Sequence, residues 1–158
     1  MSLLGFSPVM APKVENLIKL QTIRSFRKDG RDPEEGDRLQ LYTGLRRPGA
    51  RKLVHPDPVC TIAAHISIRD VRSESHHGAP ICSVMAAWPR QTRTIDGDLW
   101  LWRPDQLDAF ARADGFPDFD ALLAWFEPNR EVGTDCAAFH GTLTAWLPPI
   151  ELLRRVRQ

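Results

Sequence analysis

Apolar and polar positions along this chain change period several times within short stretches. LLGFSPVM near the start reads as a first strand. Val14, Leu17 and Ile18 then recur at helical spacing, so a short helix is predicted over 11–20 with Pro12 in its first turn. Gln21-Thr22-Ile23-Arg24 alternates as a strand, DPEEGD makes a turn, and RLQLYTG alternates again with Leu39, Leu41 and Thr43 on one face. VCTIAAHISIRD is rich in β-branched residues and ends in charge, the pattern of a long strand. RSESHHGAP is a loop. ICSVMAAW is apolar throughout, and its pattern fits a buried strand or a short helix equally well. TRTI with DGD predicts a strand and a turn. RPDQLDAFARADGF follows as a helix with Leu107, Phe110 and Ala111 on one face, ended by Gly115. DFDALLAWF is a second helix with Asp118 as its N-cap, and AAFHGTLTAWL, carrying Phe139, Thr142 and Thr144, is a returning strand.

Runs of strands broken by two or three short helices define an α+β fold whose sheet curls into a small barrel. At 158 residues, with no repeat and no long linker, 1–158 is expected to be a single domain, with a short basic tail from about residue 148. No apolar run reaches bilayer length, which excludes a membrane-spanning helix. MSLLGFSPVM has no basic leader, so no signal peptide is expected. Cys60, Cys82 and Cys136 stand singly in apolar or small-residue surroundings, the usage of reduced buried thiols in a cytoplasmic protein.

Charge changes this picture more than composition does. The formal net charge is only +1, yet 13–52 carries 11 Lys or Arg against 6 acids, and 98–135 carries 3 Arg against 9 acids. A basic half attracts phosphates even when the whole is nearly neutral. Within it, Lys19, Thr22 and Arg24 gather an amine, a hydroxyl and a guanidinium at a helix-to-strand join. Thr22 and Arg24 are two apart on a strand and so share a face, which Lys19 reaches on its long stem. Arg46, Arg47, Arg51 and Lys52 form a second basic cluster around Pro48-Gly49, suited to phosphate contacts without sequence choice. Phe26 and Tyr42 are aromatic candidates for stacking on a base.

Other groups are read as structural. His76-His77 has no cysteine or carboxylate at ligand spacing, so no metal site is expected. His65, His140, Trp125 and Trp146 are assigned to the core. Trp100 and Trp102 share a strand face and suit either the core or a stacking platform, and Gly36 and Gly44 suit turns or close backbone approach. No glycine-rich phosphate loop is present, no cofactor is called for, and nothing signals DNA specifically.

KLQTIR, GDRLQLYTGLR, ADGFPDFDALLAWF and FHGTLTAWL, in this order and spacing, resemble the ASCH domain, a branch of the PUA-like superfamily; the resemblance runs from about Phe6 to Leu147. It implies a mixed pseudo-barrel of about five or six strands with flanking short helices, and a cleft associated with RNA or modified nucleosides. In amidohydrolases of that family, which deacetylate N(4)-acetylcytidine, a catalytic Lys-x-x-Thr-x-Arg pattern falls on Lys19, Thr22 and Arg24 here. The family's acidic residue falls on about Asp114, one methylene shorter than the Glu those enzymes carry. The resemblance thus implies Thr22 as nucleophile, Lys19 as base, Asp114 as acid and Arg24 as a binding group for an anionic or carbonyl oxygen. Three functions follow as expectations: an RNA- or nucleoside-binding module, an amidohydrolase, and a metal-independent ribonuclease.

Overall fold

The computed structural model describes residues 1–70, 82–87, 99–126 and 137–147. The loop at 72–80 with His76-His77, the strand and turn expected at 92–98, Cys136 and the basic tail from 148 lie outside the described residues.

Three strands form one sheet. In β1 (Ser2–Phe6), Ser2, Leu4 and Phe6 point to the core while Leu3 is exposed. It runs parallel to β3 (Leu39–Thr43), which pairs with the two-residue strand β4 (Arg51–Lys52) in antiparallel register. A larger antiparallel sheet has the order β2 (Gln21–Arg24), β8 (Ala137–Leu147), β5 (Val59–Asp70), β6 (Cys82–Ala87), β7 (Leu99–Leu101). The ambiguous ICSVMAAW segment is therefore a strand. Its Val84 and Ala86 face the core and Met85 faces outward. In the centre of the larger sheet, Ile66 and Ile68 of β5 share one core with Leu4, Leu39 and Leu41 of the smaller sheet and Trp146 of β8.

The helix expected over 11–20 is shorter. α1 (Ala11–Glu15) has Pro12 in its first turn, where a missing N–H costs nothing, and stops at Asn16. Leu17 then adopts φ 58°. Leu17 N–H bonds to Val14 O at 3.2 Å and Ile18 N–H to Lys13 O at 2.9 Å, a Schellman ending with a leucine where glycine is usual. A bulky side chain in this region costs about 1–2 kcal/mol. It also explains why Ile18, placed on the helical face by spacing, is exposed. α2 (Pro104–Ala113) buries Leu107, Phe110 and Ala111, and Gly115 at φ 88° ends it as expected. α3 (Phe119–Phe126) is capped by Asp118, whose Oδ1 accepts from Ala121 N–H at 2.8 Å.

The described strands make a mixed α+β fold of two sheets, and no ladder closes them into a barrel. On one side the sheets meet through a bridge between Arg38 and Val59, with Leu39 N–H on Pro58 O and Cys60 N–H on Asp37 O, both 2.8 Å. On the other side, β1 is an edge strand, and the β2 segment reaches it with side chains. Arg24 donates to Gly5 O and Arg27 to Leu3 O. Among the described residues no helix is long and apolar enough to cross a membrane.

Two assignments to the core are corrected here. His65 and His140 lie on the outward face of the larger sheet and are exposed, because the alternation of β5 and β8 turns Ala64, Ile66 and Leu143 inward instead. Trp102 is also exposed and falls just past β7. Gly141 is a position where the fold depends on a missing side chain, since a Cβ there would sit 2.1 Å from Arg24 O. Gly141→Ala is expected to push β2 off β8 and cost about 1–3 kcal/mol, read as a lower urea midpoint with unchanged slope.

Candidate ligand pocket

Lys19 follows directly from the strained exit of α1. Its neighbour Leu20 donates to Ala113 O at 2.9 Å and accepts from Trp146 N–H at 3.0 Å, and the Gln21 side chain donates to Phe110 O at 3.1 Å. These bonds thread the segment between the end of α2 and the edge of β8. The Lys19 ammonium therefore meets the C-cap of α2, donating to Asp114 Oδ1 at 2.6 Å and Asp114 O at 2.7 Å. Lys13 donates to the next carbonyl, Gly115 O. Both lysines sit where unsatisfied carbonyls and the helix dipole favour positive charge. Gly115 allows this closeness twice over: its φ is positive, and a Cβ there would lie 3.3 Å from Lys19 Cβ.

The pair is nearly dry, with Lys19 and Asp114 each 3% exposed. Burial drives both groups toward their neutral forms against their mutual attraction. The Asp114 carboxyl is pushed up to about 6, chiefly by desolvation, with Lys19 and Arg24 opposing. Desolvation likewise pulls the Lys19 ammonium below its ordinary value, with Asp114 opposing.

Thr22 and Arg24 occupy the same face of β2, opposite Thr144 and Thr142. Thr22 is buried, and among the described residues its hydroxyl makes no hydrogen bond, to Lys19 or to any other group. Arg24 lies over the Phe6 ring at 5.1 Å, and its Nε is buried without a partner. Burial, and then Arg27, lower its pKa from the usual guanidinium value.

All four polar groups line one partly open cavity of about 190 Å³. Its remaining walls are Gly5, Phe6, Ser7 and Met10 from the β1–α1 side, Ile23 from β2, and Phe116, Trp125 and Phe126 from the α3 side. One carboxylate faces two cations, so the cavity keeps a positive bias.

The other sequence candidates do not line it. Phe26 is 47% exposed and packs edge-on against His65, with centroids 4.9 Å apart. Tyr42 is half-buried on β3 between Gly5 and Lys52. Of the second basic cluster, Arg51 pairs with Glu15 and Lys52 with Asp57, while Arg46 and Arg47 are exposed in the turn before β4. Residues missed by sequence reasoning include Trp125, which was assigned to the core and is 49% exposed at the cavity. Its signal was available: Phe119, Leu122, Leu123 and Phe126 complete an apolar stripe and leave Trp125 on its flank. Among the described residues no cluster of three or more His, Cys, Asp or Glu side chains forms a metal site. Cys60 is buried and its thiol pushed up to about 11, which leaves it unreactive.

Compared with protein families, curated proteins and solved structures, the chain matches none.

Because the ion pair is buried, breaking it on one side strands a charge. Lys19→Met is expected to cost about 3–5 kcal/mol in urea unfolding, and Lys19→Met with Asp114→Leu markedly less.

Proposed function

We propose that this chain is an ASCH-like domain of the PUA-like type whose cavity binds RNA or a modified nucleoside. The observation that carries the reading is the convergence of Lys19, Thr22 and Arg24 from one segment and Asp114 from a distant one on one small positively biased cavity with aromatic walls. Ligand sites are concave, with apolar walls and a few convergent polar groups, and aromatic rings beside cations suit a base. On this reading the barrel implied by the resemblance would be an open one, made of the two sheets around their shared core, with the cavity beside Gly5, Phe6 and Arg24.

A second reading, amide hydrolysis on N(4)-acetylcytidine, is favoured by the unbonded Thr22 hydroxyl beside a buried acid–amine pair. In its neutral form the pair offers a Lys19 amine and an Asp114 carboxylic acid. Thr22 Oγ attacks the acetyl carbonyl and its proton passes to Lys19 Nζ. Arg24 Nε donates to the carbonyl oxygen as charge develops there. The C–N bond breaks as the leaving nitrogen takes the Asp114 proton, and water then releases acetate from Thr22.

Incubation with N(4)-acetylcytidine, cytidine and a structured RNA, read by mass spectrometry and equilibrium binding, tests these readings together. Binding without product supports the module. Acetate and cytidine, lost in Lys19→Ala and Thr22→Ala, support the hydrolase, and shortened RNA without metal indicates the ribonuclease. No binding and no product with any of the three sinks the proposal.

The hydrolase also has a pH signature. Below about 6 the Asp114 carboxyl gains a proton while Lys19 stays an ammonium, so the pair no longer holds a base. kcat/KM should therefore fall roughly tenfold per pH unit below that point and level off above it. In the residual activity of Asp114→Asn the limb should instead follow Lys19 alone, shifted because the carboxylate that favoured its ammonium is gone.

A further inference from the structure

Large apolar side chains that stay exposed are informative when they border a cavity. Among the described residues, Leu3, Val9, Ile18, Phe26, Met85, Trp102 and Trp125 are all more than two-fifths exposed, and of these only Trp125 lines the pocket. Trp125 is held rather than loose. It stands on α3 beside the buried Leu122 and Phe126, and its ring leans on Phe116 with centroids 5.8 Å apart and planes at 56°. Phe116 is itself buried and lies 6.0 Å from the Lys13 ammonium, which also fixes the turn at Gly115. The indole is thus braced on one side and about half uncovered.

We propose that Trp125 is the stacking wall of the pocket: a planar nucleobase lies against its exposed indole, with the exocyclic nitrogen directed inward to Lys19, Thr22 and Asp114. This rests on the nucleoside reading above and adds the orientation of the ligand. Size supports it. A cavity of about 190 Å³ is smaller than the roughly 300–1,000 Å³ that takes a drug-sized ligand. It holds an acyl group and the edge of one ring, which leaves the ring plane at the wall where Trp125 stands and the sugar outside. Polarity agrees, since Lys19, Thr22 and Asp114 are buried while Trp125, at 49%, is exposed, as Ser7 is on the β1–α1 side. Stacking on an indole does not distinguish bases, so selection falls to the inner polar groups and the acyl substituent they meet.

The test compares two probes: N(4)-acetylcytidine, and its 5,6-dihydro derivative, which keeps the amide and sugar but has a puckered ring. Wild type should bind the planar probe with a change in tryptophan fluorescence. Trp125→Ala should weaken that binding roughly 10- to 100-fold, and Trp125→Phe should restore most of it. Trp102→Ala, which removes an exposed indole away from the pocket, should change nothing. The puckered probe should bind wild type weakly and lose little more in Trp125→Ala. Equal planar-probe affinity in wild type and Trp125→Ala, or equal sensitivity of both probes to the substitution, overturns the stacking role while leaving the pocket reading intact. Failure of wild type to bind either probe overturns both.

Discussion

The buried ion pair between Lys19 and Asp114 is the constraint around which the pocket is arranged. Taking two charges out of water is expensive, and their attraction repays this only when geometry is close and the remaining polar atoms are satisfied. Here the ammonium bonds both the carboxylate and the backbone carbonyl of the same residue, at the end of α2 where a cation is favoured. For the lysine to arrive there, α1 has to end abruptly, and it does so through a leucine in the left-handed region. Strain of this kind persists where surrounding contacts over-determine it. The bonds from Leu20 to Ala113 and to Trp146 supply that determination.

A second dependence concerns the edge between β1 and β2. A closed barrel would join these strands by backbone hydrogen bonds. Arg24 and Arg27 instead span from the β2 segment to the carbonyls of Gly5 and Leu3. A guanidinium is wider than a ladder bond, and it carries charge, so the join holds the sheets apart and brings a cation to the gap. The cavity lies at this opening. Gly141 supports the same arrangement from behind, since only a residue without Cβ lets the Arg24 carbonyl pack so closely against β8. Arg24 therefore joins architecture and pocket: one nitrogen fastens the sheets while Nε has no partner.

Charge pairing divides the basic half of the chain. Arg51 is matched by Glu15, 36 positions earlier, and Lys52 by Asp57, five positions later, while Arg46 and Arg47 remain in an exposed turn. Surface pairs of this sort contribute little energy, but they reduce the field the cluster projects. The positive bias that reaches the cavity comes from Lys19 and Arg24.

Much of the element order was legible in the residues themselves. Alternation located β2, β3 and β8, and β-branched content the length of β5. The first strand, expected to run to Met10, instead ends at Phe6 because the chain turns at Ser7. The caps at Gly115 and Asp118 marked where α2 ends and α3 begins. Local signals of this kind depend on backbone preferences and on neighbours within a turn, so one sequence contains them. The grouping of Lys19, Thr22 and Arg24 was also visible from spacing, because a strand puts alternate residues on one face. Asp114 was suggested only by resemblance; nothing local marks a helix-ending aspartate as the partner of a lysine 95 positions earlier. The outward turn of His65 and His140, the strand identity of ICSVMAAW, the exposure of Trp125 and the pairing of Arg51 with Glu15 were likewise decided by the tertiary arrangement. Those outcomes depend on contacts between distant segments, and hydrophobic periodicity says which positions share a face without saying what that face will touch.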